Sequence, residues 1–154
     1  MAENTLFKTA LSKAMSQCSQ REICCSEIES RLELWGLQKS DCQKIIDILI
    51  KENFLNEERY ASAFVKDKFN HNKWGKIKIT SHLRAKKISS GTIHSALESI
   101  DYDLYKIRLK EMINNHRRLL KAKNQYEMKA KLLRFGLSRG FESSLVYDIL
   151  NDPD

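Results

Sequence analysis

The sequence predicts an all-α protein built as three tandem three-helix repeats in an elongated, curved array. Three observations predict it. The chain has 154 residues with one Pro and five Gly, and it is rich in Leu, Ile, Lys, Glu, Ser and Ala, a composition that favours helix. Its apolar residues recur three and four positions apart, the spacing that lines one face of a helix. Similar segments then return at a period of about 50 residues, which points to stacked helical units.

The units are expected at residues 1–54, 55–101 and 102–154. In the first, Leu6, Ala10, Leu11 and Ala14 line a helix over residues 5–17. A second helix carries Ile28, Leu32, Leu34 and Trp35, with Trp35 expected in the core and Gly36 at the helix C-terminus, where a left-handed residue is favoured. Ser40 and Gln43 stand at capping-box spacing ahead of Ile45, Ile46 and Leu49.

The second unit opens with Asn56, a cap for a helix bearing Tyr60, Ala61, Phe64, Val65 and Lys68. Arg59 is expected to pair with a neighbouring helix and Tyr60 to enter the core. Residues 73–88 follow an exposed loop, Asn70-His71-Asn72-Lys73, and hold many Lys and Arg with no Asp or Glu. Ile79 and Leu83 share one face of that helix, while Lys78, Ser81 and Arg84 fall on the opposite half and face water or a partner. Ser89 or Ser90 caps a third helix with Ile93, Leu97 and Ile100.

The third unit begins with a helix over residues 104–122 that carries Leu104, Ile107, Leu109, Met112, Ile113 and Leu120. Leu132 then aligns with Leu32 and Leu83, Leu137 with Leu37 and Ile88, and Gly136 with Gly36, while Lys87 holds the glycine's place in the second unit. The last helix carries Leu145, Val146, Ile149 and Leu150, so that Ile46/Leu97/Val146 and Leu49/Ile100/Ile149 line up across the units. Each unit is expected to be too small to bury its own apolar faces, so neighbours must stack.

Several function classes find no support. No apolar run approaches about 18 residues, which excludes a membrane span, and the start of the sequence lacks the pattern of a signal peptide. Cys18, Cys24, Cys25 and Cys42 match no zinc spacing and are expected to be reduced thiols in the cytoplasm. His71, His82, His94 and His116 have no second ligand three or four residues away. Asp101 and Asp103 fit a helix start better than a catalytic pair. There is no Gly-rich phosphate loop and no triad signature. The expectation is no enzyme, no metal and no cofactor.

Charge is the informative signal. The net charge is +7, yet residues 1–51 hold seven Lys/Arg against seven Asp/Glu, and residues 66–134 hold eighteen against six, a regional excess of +12. A field of that sign attracts polyanions. The candidate contacts are Lys73, Trp74, Lys76, Lys78, Arg84, Lys86 and Lys87 at the centre. A second cluster is Arg117, Arg118, Lys121 and Lys123, and a third is Lys129, Lys131 and Arg134, with Arg139 beside it. The competing reading of any single cation is a solvated side chain. For Trp74 it is a ring folded back on the core rather than one free to stack on a base.

The ordered segments resemble the RecX family, regulators of the RecA recombinase. Arg21-Glu22-Ile23-Cys24-Cys25-Ser26-Glu27-Ile28, followed by Leu32 and Gly36, is similar to the pattern that opens the family's first unit. Phe54-Leu55-Asn56-Glu57-Glu58-Arg59-Tyr60-Ala61 is similar to its linker, and Gly75, Ile79, Leu83 and Ile88 match its central segment. Cys24 stands where a capping Ser is usual, Lys87 where a Gly is usual, and Phe54 where the linker often has Gly. The resemblance implies three three-helix repeats and binding to the RecA filament on single-stranded DNA. It also implies inhibition of that filament's ATPase, strand exchange and coprotease activities in recombination, DNA repair and the SOS response. It implies no chemistry by the chain itself. A general helical DNA-binding module is the alternative. The chain is expected to be a monomer, for no heptad seam suggests a dimer.

Overall fold

A computed structural model of the chain describes residues 2–152. Among the described residues there are nine helices and no strand. They are α1 (Ala2–Gln20), α2 (Cys25–Leu34), α3 (Lys39–Lys51), α4 (Glu57–Asn70), α5 (Lys76–Ala85), α6 (Ser90–Glu98), α7 (Tyr102–Leu119), α8 (Gln125–Ser138) and α9 (Ser143–Leu150). The accessible surface is 9902 Å². A compact monomer of this mass would expose about 8,000 Å², so the array is elongated.

Four helices start on a side-chain cap. Asn56 accepts from the Arg59 amide at 3.0 Å, Ser89 from Thr92 at 3.3 Å, Asp101 from Asp103 at 3.1 Å and Asn124 from Glu127 at 2.8 Å. Each satisfies an amide that the helix itself leaves unpaired. Cys24 starts α2 without a side-chain cap bond. The expected capping box at Ser40 is not formed. The cap position is Gln38, and Ser40 lies inside the first turn of α3.

The middle helix of every unit ends in the same way. Gly36 (φ 97°), Lys87 (φ 63°) and Gly140 (φ 89°) are left-handed. The next amide then reaches back to the helix: Leu37 to the Leu32 carbonyl at 3.1 Å, Ile88 to Leu83 at 3.1 Å and Phe141 to Gly136 at 3.2 Å. This is the Schellman cap. It corrects the register read in the third unit, where the turn glycine is Gly140 and not Gly136. α8 has 14 residues against 10 in α2 and α5, one more helical turn. Leu32 and Leu83 therefore correspond to Gly136, and Leu37 and Ile88 to Phe141. Leu137, aligned with them in the sequence, is 42% exposed. Counted from the caps Gln38, Ser89 and Glu142, Leu150 rather than Val146 matches Ile46 and Leu97. Gly136 has its own role: a Cβ there would lie 2.9 Å from Val146 Cγ2, so its absence lets α9 close on α8.

The interior is divided in two. Ala10, Ala14, Ile28, Leu32, Ile45 and Leu49 belong to a core made by α1–α3 alone. Val65, Ile79, Leu83, Leu109, Ile113, Leu132 and Val146 belong to one continuous core shared by α4–α9. The expectation that no unit buries its own apolar faces is thus corrected for the first unit, whose long α1 closes its core. Trp35 is only half-buried, at the edge of that core, and Leu34 is 83% exposed. Both lie at the end of α2, past the stripe set by Ile28 and Leu32.

Candidate nucleic-acid and filament interface

Two junctions hold the units in line and so position the basic helices. Between the first and second units the contacts are mostly polar. Among the described residues, the buried Cys24 is the one first-unit side chain that enters the apolar core of α4–α9. Ser26 Oγ donates to the Lys86 carbonyl at 2.7 Å. Glu27 pairs with Lys86 Nζ at 3.3 Å and accepts from the Tyr60 hydroxyl at 3.1 Å. Arg59 pairs with Glu22 and donates to the carbonyl oxygens of Asn53 and Phe54. Burial pushes the Glu27 carboxyl up, but the Tyr60 hydroxyl and the Lys86 ammonium outweigh it, and the net shift is downward. Glu57 is pushed up by burial, and burial first, with Glu57 nearby, pushes the Cys25 thiol up to about 12.

Between the second and third units the contacts are backbone and aromatic. The first amides of α5 have no side-chain cap, because Gly75 precedes them. Gly75 N donates to the Arg139 carbonyl at 2.7 Å and Ile77 N to that of Gly140 at 2.9 Å. Lys76 N donates to the Tyr105 hydroxyl at 2.9 Å, which donates in turn to Glu142 Oε1 at 2.5 Å. The rings of Phe69, Tyr105 and Phe141 follow one another at 5.8 and 5.0 Å. Burial and the Glu142 carboxylate push the Tyr105 phenol far up, so its proton stays in place.

The central candidates separate on this frame. Lys73 is exposed and left-handed (φ 59°), and Arg84 and Lys87 are exposed. Lys76 lies 5.0 Å from the Tyr105 ring, and Lys86 is paired with Glu27. Trp74 is half-buried. It packs on Phe64 at 6.3 Å and His82 at 4.4 Å, with Lys68 Nζ at 5.2 Å and Lys78 Nζ at 4.7 Å over its ring. Its indole already has partners, which favours the folded-back reading over a free stacking ring. Lys78 is also not wholly turned to solvent, since its stem fills the space beside Gly140.

The second and third clusters meet. Lys131 Nζ donates to the Lys121 carbonyl at 2.7 Å and pairs with Glu127 at 3.2 Å, tying α8 to the α7–α8 connection. Around that tie Arg117, Arg118, Lys121, Lys123, Lys129 and Arg134 are exposed. The only carboxylate in residues 117–138 is Glu127, so this patch is nearly single-signed.

A family model described as RecX, second three-helix domain, matches residues 56–97. The regulatory protein RecX of Clostridium botulinum (strain Eklund 17B / Type B) is 32% identical over 130 residues, covering 82% of this chain and 59% of that protein. The chain belongs to the RecX family. It spans about 59% of the length of those clostridial RecX proteins. The RecX of Acinetobacter baylyi is 21% identical, with 88% of this chain and 82% of that protein covered. The crystal structure of RecX from Lactobacillus salivarius matches with a TM-score of 0.84 at 19% identity, over 96% of both chains. A second crystal structure, of regulatory protein RecX, matches with a TM-score of 0.88 at 20% identity over 98% of this chain and 74% of that one. These likenesses establish the RecX fold.

Sequence reasoning missed three members of the basic surface of this RecX-family chain. Lys68 completes the Trp74 stack, and its place four residues after Phe64 on α4 was a usable signal. Arg108 lies 4.7 Å from the Phe69 ring and bonds to Asn70. With Lys73, Glu111 and Met112 it lines a cavity of about 130 Å³, and nothing local in the sequence marks it. Tyr126 stands 85% exposed inside the second patch, where its place among cations was legible. Among the described residues, no three His, Cys, Asp or Glu side chains are grouped to hold a metal ion, and no helix is long and apolar enough to cross a membrane.

Proposed function

We propose that this RecX-family chain is a cytoplasmic, monomeric regulator of the RecA recombinase. It binds the recombinase filament on single-stranded DNA through its basic surface, and inhibits ATP hydrolysis, strand exchange and coprotease activity without chemistry of its own. The observation that carries this reading is the concentration of exposed cations on the second and third units of a RecX fold, held at fixed spacing by a shared core. Such an array lies along a filament and touches several protomers or phosphates at once, so avidity arises from many modest contacts. Binding one filament geometry better than another shifts the filament toward it.

The test is recombinase ATPase on single-stranded DNA, titrated with wild type, with Arg84→Glu/Lys87→Glu and with Arg117→Glu/Lys121→Glu/Arg134→Glu. These residues are exposed and make few internal bonds, so the variants report contact rather than folding. Inhibition by wild type and loss of about tenfold or more in potency in either variant supports the reading. Unchanged ATPase at stoichiometric excess of wild type overturns it. The single-signed patch at the α7–α8 connection also favours a second reading, a helical DNA-binding module without recombinase specificity. That reading predicts binding to naked DNA with a slope of about 0.7 per neutralised phosphate on single strands. Binding to recombinase in the absence of DNA separates the two.

A further inference from the structure

The outer face of the third unit carries a groove that the reading above leaves unused. It lies between α8 and α9, measures about 290 Å³, and is lined by Tyr126, Lys129, Ala130, Leu133, Tyr147 and Leu150, with Asn151 at its end. Tyr126 is 85% exposed and Tyr147 51% exposed. Both are large rings left in water. Tyr126, Lys129 or Ala130 and Leu133 follow one another at three- and four-residue steps on α8, and Tyr147 and Leu150 do the same on α9. The two tyrosines thus belong to facing stripes that form the two walls. Lys129 Nζ is held on Asn151 Oδ1 at 3.4 Å, which places an ammonium at the groove.

Charge decides what suits this groove. On the α8 side Lys129 lines the groove, Arg134 is exposed on the same helix, and Lys121 and Lys123 are exposed on the connection that leads into it. The one carboxylate of α8, Glu127, is already paired with Lys131 at 3.2 Å. The α9 side carries Asp148 and Asp152, the latter paired with Lys110 at 4.0 Å. An apolar helix of a partner protein would bury the groove but leave the α8 cations without partners. An unpaired strand satisfies both features, since its bases stack on exposed aromatic rings while its backbone follows the cations. We infer that the Tyr126/Tyr147 groove is a binding site for unpaired bases of single-stranded nucleic acid, with Lys129 and Arg134 on the adjoining phosphates. This inference rests on the nucleic-acid contact in the proposed function and gives that contact a location.

The test compares fluorescein-labelled (dT)20 with an abasic deoxyribose-phosphate 20-mer of the same charge, by anisotropy, with no recombinase present. Wild type is expected to bind (dT)20 at least about fivefold more tightly than the abasic strand, since stacking on an aromatic ring contributes on that scale per base. Tyr126→Ala/Tyr147→Ala is expected to bind both strands equally with an unchanged salt slope. Tyr126→Phe/Tyr147→Phe, which keeps the rings, is expected to retain the preference. Equal binding of both strands by wild type, a preference that survives the alanine variant, or its loss in the phenylalanine variant each overturns the inference. Because the assay contains no recombinase, a base preference without ATPase inhibition would sink the regulatory reading alone. Inhibition without a base preference would sink this site alone.

Discussion

The two junctions of this array join units of the same design by opposite means. Between the first and second units, a carboxylate, an ammonium and two hydroxyls meet at Glu27, Lys86, Ser26 and Tyr60. The apolar interiors on either side remain distinct, with only Cys24 among the described first-unit residues entering the larger one. Between the second and third, the interior is continuous and backbone bonds to backbone across the boundary. Polar side chains held partly in water contribute little net energy and respond to pH and salt. A shared apolar core contributes through every methylene it removes from water. Equal-looking repeats therefore make one small body attached to one large one, and the basic surface sits chiefly on the large one.

The sharpest way to break this comparison is to open each core in turn. Leu32→Ala and Leu109→Ala both empty fully buried sites and are expected to cost about 2–5 kcal/mol each. Amide hydrogen exchange should show the first loss confined to α1–α3 and the second spread over α4–α9. Equal loss of protection in α7 from Leu32→Ala would mean a single cooperative body.

A smaller change acts at the fused junction alone. A Cβ on Gly75 would collide with the backbone of Gly140 and Phe141, so Gly75→Ala is expected to destabilise the large body by about 3 kcal/mol. Gly36→Ala meets no atom within 4 Å and changes only a left-handed turn, at about 1 kcal/mol. Urea midpoints for the two variants measure the contrast, and similar shifts would remove the case for close backbone contact at Gly75.

The smallest effect belongs to the polar junction. The Glu27 carboxyl is held below its ordinary value. Its contribution is complete above the unfolded carboxylate value of about 4.3 and is lost as pH falls through the lower folded value. Glu57, pushed up by burial, works in the other direction, and its cost is relieved as acid protonates it. Glu27→Gln is expected to cost about 1 kcal/mol at neutral pH and to flatten the acid dependence of the first unit's unfolding. An unchanged pH profile in that variant would show that Glu27 does not couple the units.

How much of this was legible follows from what a local pattern can carry. Helix positions were legible, because Asn56, Ser89 and Asp101 act on amides two or three residues away. The third unit's register was not, because a shift of four residues returns nearly the same helix face, and Leu132 fits the stripe whether or not α8 has an extra turn. Only the cap bonds from Gly140 and Phe141 distinguish the two. The regional charge excess was legible by counting. Which cations are engaged was not, since Lys86 pairs with Glu27 and Lys76 lies over the Tyr105 ring, partners dozens of residues away in sequence. Trp74 shows the limit, because its cationic neighbours in the sequence do not reveal that Phe64 and His82 pack against its ring in space, beside Lys68 and Lys78.

The bonds that start α5 also impose an order on the chain's own synthesis. Ile77 waits for the carbonyl of Gly140, a residue 63 positions later (140 − 77). At about 5–20 residues per second, that wait is roughly 3–13 seconds on the ribosome. The first unit, whose core is its own, is complete long before. Throughout that interval the nascent chain trails a finished α1–α3 while the opening turn of its central basic helix lacks its caps. The cationic surface is thus assembled last, when the third unit arrives to close it.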